Sequence, residues 1–308
     1  MIAVEHLTKK YGDLLAVSDL SFTVEKGKVW GFLGPNAAGK TTTMRILTGF
    51  LPATEGKASV GKFDVFEQPN EVKKIIGYLP ETLPLYPDMT VTEYLNFVAS
   101  IKKIPGSEKK QAVGKAINVS GLDKVQQRLI KNISRGFKQR VGIAQALVHD
   151  PRVLILDEPT IGLDPAQIKE IRNLIKSLRG EHTVILSTHI LAEVTQTCDG
   201  AVIIKEGRLM ASGSLEELTA SFRTKEGAVV KVRRGIQDAA VLLRTVPGVD
   251  KVNREDNELR IEWKPGQDPR DEIAKLILER QFGLLEMRPL AMSIEDLYLK
   301  IVSGDVEQ

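Results

Sequence analysis

Apolar residues alternate over Ile2, Val4 and His6-Leu7, and again over Phe22 and Val24, which predicts two short strands with one buried face each. Val29–Leu33 is a continuous apolar run ending in Gly-Pro, the pattern of a strand buried on both faces. Residues 153–156 and 183–186 repeat that pattern, each followed by polar residues and a helix-like segment. Helical spacing fills residues 92–102, 108–119, 137–149 and 165–179. Thr90 and Glu93 form a capping box for the first of these, and Pro165 suits a first helical turn. Buried strands separated by helices predict a mostly parallel α/β sheet. The helix-only stretch from about 83 to 150 predicts a helical lobe inserted into the sheet domain.

A helix-like segment at 214–220 and a polar stretch ending in glycine, 221–227, predict a boundary. Beyond it the pattern reads strand 229–232, helix 236–245, strands 249–254 and 258–263, helix 270–281 and strand 284–290. That order is β-α-β-β-α-β, the split arrangement of ferredoxin-like folds. The chain is therefore expected to hold an α/β domain over 1–220 and a small α+β domain over 221–308. No internal repeat or low-complexity tract interrupts either part.

Composition narrows the classes. With 42% apolar and 27% charged residues among 308, a disordered or fibrous chain is excluded. The longest purely apolar run is the five residues 239–243, against about twenty for a membrane-spanning helix. The first residues carry no basic region followed by an apolar core, so no signal peptide is expected. A single cysteine, Cys198, allows no internal disulfide or cysteine-built zinc site and fits a reducing compartment. A net charge of +3, divided without strong polarity between the two parts, gives no reason to expect a nucleic-acid partner.

Candidate chemistry begins at Gly34-Pro35-Asn36-Ala37-Ala38-Gly39-Lys40-Thr41, which matches G-x-x-x-x-G-K-[ST] after a buried strand and before a helix starting near Thr42. Such a loop holds several negative charges without bulk, because backbone N–H groups and the helix N-terminus point at the phosphates. Lys40 supplies a point charge to the β- and γ-phosphates, and the Thr41 hydroxyl is a Mg²⁺ ligand. Ala37 stands where glycine is more common, so it either takes an ordinary backbone angle or bears modest strain.

A second buried strand ends in Asp157-Glu158, and ligands of open α/β sheets sit above strand carboxyl ends. Asp157 is placed to hold Mg²⁺, and Glu158, facing differently, to polarise an attacking water. His189 follows the run 183–186 at another strand end, where it can donate to a γ-phosphate. Ile133-Ser134-Arg135-Gly136-Phe137-Lys138-Gln139-Arg140 opens a helix with Ser134 at the capping position, a second anion site rich in N–H groups.

The order of these motifs, with Gly162-Leu163-Asp164-Pro165 between Glu158 and His189, resembles the ATP-binding subunit of ABC transporters over residues 1 to about 220. By that resemblance Tyr11 stacks on adenine, Ser134 and Gly136 contact the γ-phosphate held by the opposite subunit, Asp164 lies at the subunit interface, and His189 is the γ-phosphate switch. The resemblance implies two ATP with Mg²⁺ sandwiched in a head-to-tail homodimer, driving a separate multi-spanning membrane permease. It also implies a location at the cytoplasmic face of the plasma (inner) membrane, peripheral through that permease. Two positions depart from the common pattern. Glu81 replaces the usual glutamine as a metal ligand, and Arg135 replaces a glycine. Both variants, and the closing stretch 293–300, are similar to the exporter subfamily that moves drugs, polysaccharides or lipids and includes gliding-motility members. A soluble ABC-type ATPase not coupled to transport is the alternative. Such proteins usually carry two motif sets or long coiled-coil insertions, and this chain has one set and no heptad run.

Overall fold

The computed structural model describes residues 1–221, 226–264, 266–290 and 294–303. The chain opens with β1 (Ile2–Tyr11) and β2 (Leu14–Val24), an antiparallel pair running from Ile2↔Val24 to Tyr11↔Leu14. Both strands are longer than their alternation predicts. The register shifts repeatedly after Val4, and past Leu7 no residue of β1 is buried, so no buried face repeats there. β3 (Val29–Leu33) is buried along its whole length and leads through the glycine-rich loop into α1 (Lys40–Leu47). β4 (Glu55–Val60) pairs with β1, and the short β5 (Phe63–Asp64) with β4, making a four-stranded antiparallel sheet in the order β2-β1-β4-β5. The hydrophobic pattern does not predict this sheet, because β4 buries only Ala58 and Val60.

α2 (Pro69–Ile75) precedes β6 (Ile76–Leu79), and three helices then follow without a strand: α3 (Val91–Ile101), α4 (Gly106–Val119) and α5 (Arg135–Leu147). They close around Leu95, Val113, Ile117, Leu122 and Val141. The capping box of α3 has both halves, Glu93 N–H to Thr90 Oγ1 at 3.2 Å and Thr90 N–H to Glu93 Oε2 at 2.8 Å. β7 (Val153–Asp157), α6 (Pro165–Ser177), β8 (Thr183–Thr188), α7 (Leu191–Thr197), β9 (Gly200–Lys205) and β10 (Arg208–Ser214) complete the first part, and α8 (Leu215–Ser221) follows at its boundary. The main sheet has six strands in the order β10-β9-β3-β8-β7-β6, parallel from β9 to β6, with β10 antiparallel at one edge.

α1 packs between the two sheets, with Met44, Ile46 and Leu47 in one core with Ile2, Phe22, Phe32, Ile155 and Ile185. Each such fully buried side chain contributes about 1.5–3 kcal/mol. This packing holds the loop before α1 above the carboxyl ends of β3, β7 and β8.

A second compact unit spans Glu217–Leu299, while the stretch from Lys300 groups with Met1–Glu216. It contains β11 (Glu226–Val232), α9 (Ile236–Leu243), β12 (Val249–Glu255), β13 (Glu258–Trp263), α10 (Arg270–Glu279) and β14 (Leu284–Pro289). The sheet order β12-β13-β11-β14, antiparallel throughout, is that of a split βαβ fold. Ala228, Val230, Leu243, Leu259, Ile261 and Ile273 fill its core. The final helix is α11 (Ile294–Ser303). The expected boundary stretch 221–227 includes residues 222–225, and the closing stretch begins at Ser293; these lie outside the described residues. Among the described residues no helix is long and apolar enough to cross a membrane.

Candidate functional site

The loop from Gly34 to Thr41 is held in large part by backbone contacts. Gly34 N–H donates to Thr188 O at 3.3 Å, Ala38 N–H to Pro35 O at 3.3 Å, and Gly207 N–H to Ala38 O at 3.2 Å. Gly39 has φ 98° and precedes the first turn of α1. A Cβ there would lie 2.6 Å from Ala16 O, so only glycine fits. Ala37 takes the strained option, with φ 64°. A left-handed alanine costs about 1–2 kcal/mol. Thr42 lies half-buried in the first turn of α1, whose leading N–H groups have no intrahelical partner. Asn36 completes the exposed crest of the loop.

Six side chains, from the start of α1 and the carboxyl ends of β7 and β8, converge beside this loop. Lys40 Nζ donates to Gly34 O (2.8 Å) and Pro35 O (3.1 Å) and lies 3.4 Å from Glu158 Oε1. Glu158 follows β7 with φ 48°, a left-handed turn that separates its side chain from that of Asp157. Its second oxygen is 3.0 Å from His189 Nδ1, and its N–H donates to Ser187 Oγ at 2.9 Å. Strained backbone at such a position persists only where neighbouring contacts hold it. Asp157 is fully buried, and its Oδ1 accepts from Ser187 Oγ (2.6 Å) and Thr41 Oγ1 (3.3 Å). Its Oδ2 is buried with no hydrogen-bond partner. A buried, unsatisfied carboxylate oxygen beside a threonine hydroxyl suits a hard divalent cation such as Mg²⁺, which takes oxygen ligands.

The remaining sequence-predicted residues lie around this cluster. Tyr11, at the far end of the β1–β2 hairpin, is 44% exposed, with Lys9 Nζ 5.2 Å from its ring centre. Ser134 is exposed and caps α5, accepting from Phe137 N–H at 3.4 Å. Gly136 is buried against Gln167 of α6, where a Cβ would approach to 2.8 Å. Arg135 donates to Ile161 O at 3.1 Å and covers Gly162, so the variant signature is tied to the loop between Glu158 and Asp164. Asp164 caps α6 through Gln167 N–H at 2.9 Å. Glu81 is exposed just past β6 and shares no hydrogen bond with Thr41 or Asp157 among the described residues. Nearby, burial, and then the charge of Asp157, push the Tyr78 hydroxyl up to about 12.

Sequence reasoning missed four members of the site. Ser187 binds both acidic residues, as above. Thr160 and Thr188 hydroxyls converge on Glu193, which is buried in α7. Their signal in sequence is weak: a serine, two threonines and a glutamate, none in a recognisable spacing.

A family model described as ABC transporter matches residues 17–161. The chain is 35% identical to the bacitracin transport ATP-binding protein BcrA of Bacillus licheniformis, over 99% of this chain and 98% of that protein. It is 31% identical to the linearmycin resistance ATP-binding protein LnrL of Bacillus subtilis, over 98% of each. Among solved structures it resembles an ATP-binding subunit of an ABC transporter (29% identity, TM-score 0.65, 72% of this chain and 93% of that one). It also resembles a bacterial ABC transporter cassette solved as a dimer (25% identity, TM-score 0.63, 70% and 99%). With its parallel sheet and phosphate loop, the chain belongs to the family of ATP-hydrolysing, ATP-binding subunits of ABC transporters.

Proposed function

We propose that this subunit energises export, through hydrolysis of Mg-bound ATP held between two copies arranged head to tail. The observation that carries the reading is the convergence of Lys40, Asp157, Glu158 and His189 on one edge of the loop 34–41. In it, Tyr11 stacks on adenine, while the amides of Gly34 to Thr42 and the ammonium of Lys40 receive the phosphates. Thr41 and Asp157 hold Mg²⁺, with Glu81 a third oxygen donor from the lobe side; the ion neutralises phosphate charge when bound. Glu158 accepts a proton from the attacking water, and His189 donates to the γ-phosphate. An incoming phosphate competes with Glu158 for Lys40, so nucleotide binding releases the carboxylate for this work.

Ser134 and Gly136 complete the partner copy's site. Exposure of Ser134 at a helix N-terminus supports this, as does the dimeric cassette to which the chain is similar. The experiment is complementation. Ser134→Arg and Lys40→Ala proteins are each inactive, but mixed they form one complete site per heterodimer and regain activity. No recovery on mixing would rule out the head-to-tail arrangement.

Relatives named for bacitracin transport and linearmycin resistance support outward movement of a drug-class compound, selected by the permease. The segment after Glu81 divides its work. Leu83 packs on Gly142 of α5, Leu85 joins the lobe core, and Tyr86 is 49% exposed with its ring edge-on to Phe97 at 5.4 Å. Tyr86 with Phe97 forms the surface offered to the permease. Co-purification with a multi-spanning protein, lost on Tyr86→Ala, tests this; retention of the pair contradicts it. The second unit, 221–308 in the sequence division, is an accessory domain.

A further inference from the structure

Behind the reacting groups lies a carboxylate that none of the roles above uses. Glu193 is only 2% exposed, and among the described residues it forms no salt bridge. Its Oε1 accepts from Thr160 Oγ1, and its Oε2 accepts from Thr188 Oγ1 at 2.6 Å. Thr160 belongs to the loop after Glu158, and Thr188 ends β8 directly before His189. Thr160 sits two residues past Glu158, in a turn closed by Ile161 N–H to Glu158 O at 3.2 Å. Thr188 precedes His189, accepts from Ile190 N–H at 3.0 Å through its hydroxyl, and accepts from Gly34 N–H at 3.3 Å through its carbonyl. With the 3.0 Å contact of His189 to Glu158, the two loops are joined twice, and Glu193 closes the ring.

Packing alone does not account for this residue. An unpaired carboxylate taken out of water is costly, and an apolar side chain would fill the same space more cheaply. What an ionised carboxylate adds is direction. It only accepts, so it fixes both hydroxyl protons and, through them, both loops. Glu158 most needs such support, because its φ of 48° persists only under constraint.

We propose that Glu193 is a positioning residue for ATP hydrolysis, strapping the Glu158 loop to the His189 loop through Thr160 and Thr188. The inference rests on the reading of Glu158 and His189 given above. It is tested on full-length Glu193→Ala, Glu193→Gln and Thr160→Val proteins, with Glu158→Gln as control. The measurements are kcat, KM for ATP, Kd for ADP by fluorescence titration, and thermal midpoint. Displacing a reacting group by about 1 Å costs up to about 100-fold, so Glu193→Ala should lower kcat about 10- to 100-fold with the ADP Kd within about threefold. Glu193→Gln keeps the shape, and hydroxyls can turn to accept from its amide, so kcat should stay within about threefold of wild type. Thr160→Val, nearly isosteric, cuts one arm and should lower kcat about 5- to 10-fold. If Glu193→Ala does not fold, Thr160→Val decides. Wild-type kcat in Thr160→Val, or equal loss in Glu193→Gln and Glu193→Ala, overturns the proposal. Wild-type turnover in Glu158→Gln would instead overturn the underlying reading of the site.

Discussion

Lys40 and Glu158 form an ion pair at 3.4 Å, with side chains only 7% and 8% exposed. Removing one member of a buried pair leaves an uncompensated charge, whereas removing both does not. Lys40→Met should therefore destabilise the fold by about 3–5 kcal/mol, and Lys40→Met with Glu158→Gln by clearly less. Chemical denaturation of the four proteins of this cycle gives the coupling. Additive effects would mean that the pair is solvated in solution.

Ala37 should be improvable. At φ 64° glycine relieves about 1–2 kcal/mol of left-handed strain and gives back about 0.4–1 through the unfolded chain. Ala37→Gly is expected to raise stability by about 0.5–1 kcal/mol and leave ATP affinity unchanged, since the loop amide is retained. A less stable variant in urea unfolding would show that Ala37 is not strained.

Metal dependence should pass through Asp157. In wild type, Mg²⁺ is expected to tighten ATP binding at least about tenfold over EDTA; in Asp157→Ala this gain shrinks to about twofold or less while metal-free binding persists. Titration calorimetry with and without Mg²⁺ separates the two. An undiminished metal effect in Asp157→Ala would move the ion elsewhere.

His149 predicts a pH response outside the site. Burial foremost, then Lys102, lower its pKa to about 4 from 6.5, and a ring nitrogen lies 2.8 Å from Ile76 O. The folded chain thus binds fewer protons than the unfolded one between those values. Stability attributable to neutral His149 is complete above pH 6.5 and falls progressively toward pH 4. Wild type should lose roughly 2 kcal/mol more than His149→Gln between pH 7 and 4.5, read from denaturant midpoints. Parallel pH curves would contradict it.

Legibility from sequence followed burial and motif. Val29–Leu33 reads as a strand because every position is buried, and Glu258–Trp263 because its inner face alternates. Glu55–Val60 escaped because its buried face holds two small residues at one end. In the site, Lys40, Asp157 and Glu158 announce themselves by spacing. Glu193 does not, because a glutamate on a short helix reads as solvent-facing until the fold brings it against Thr160, from the loop after β7, and Thr188, at the end of β8. The strain at Ala37 was half legible: glycine's absence raised it, but only the backbone angle decided it.

The central claim is that Glu158 activates water in a site otherwise competent to bind ATP. Its most direct test is single-turnover hydrolysis by Glu158→Gln, with ATP binding measured on the same protein. General-base catalysis contributes about 100- to 10,000-fold, so the rate should fall by at least about 100-fold while ATP still binds as tightly as in wild type or more so. Hydrolysis at the wild-type rate by the ATP-bound variant would contradict the account.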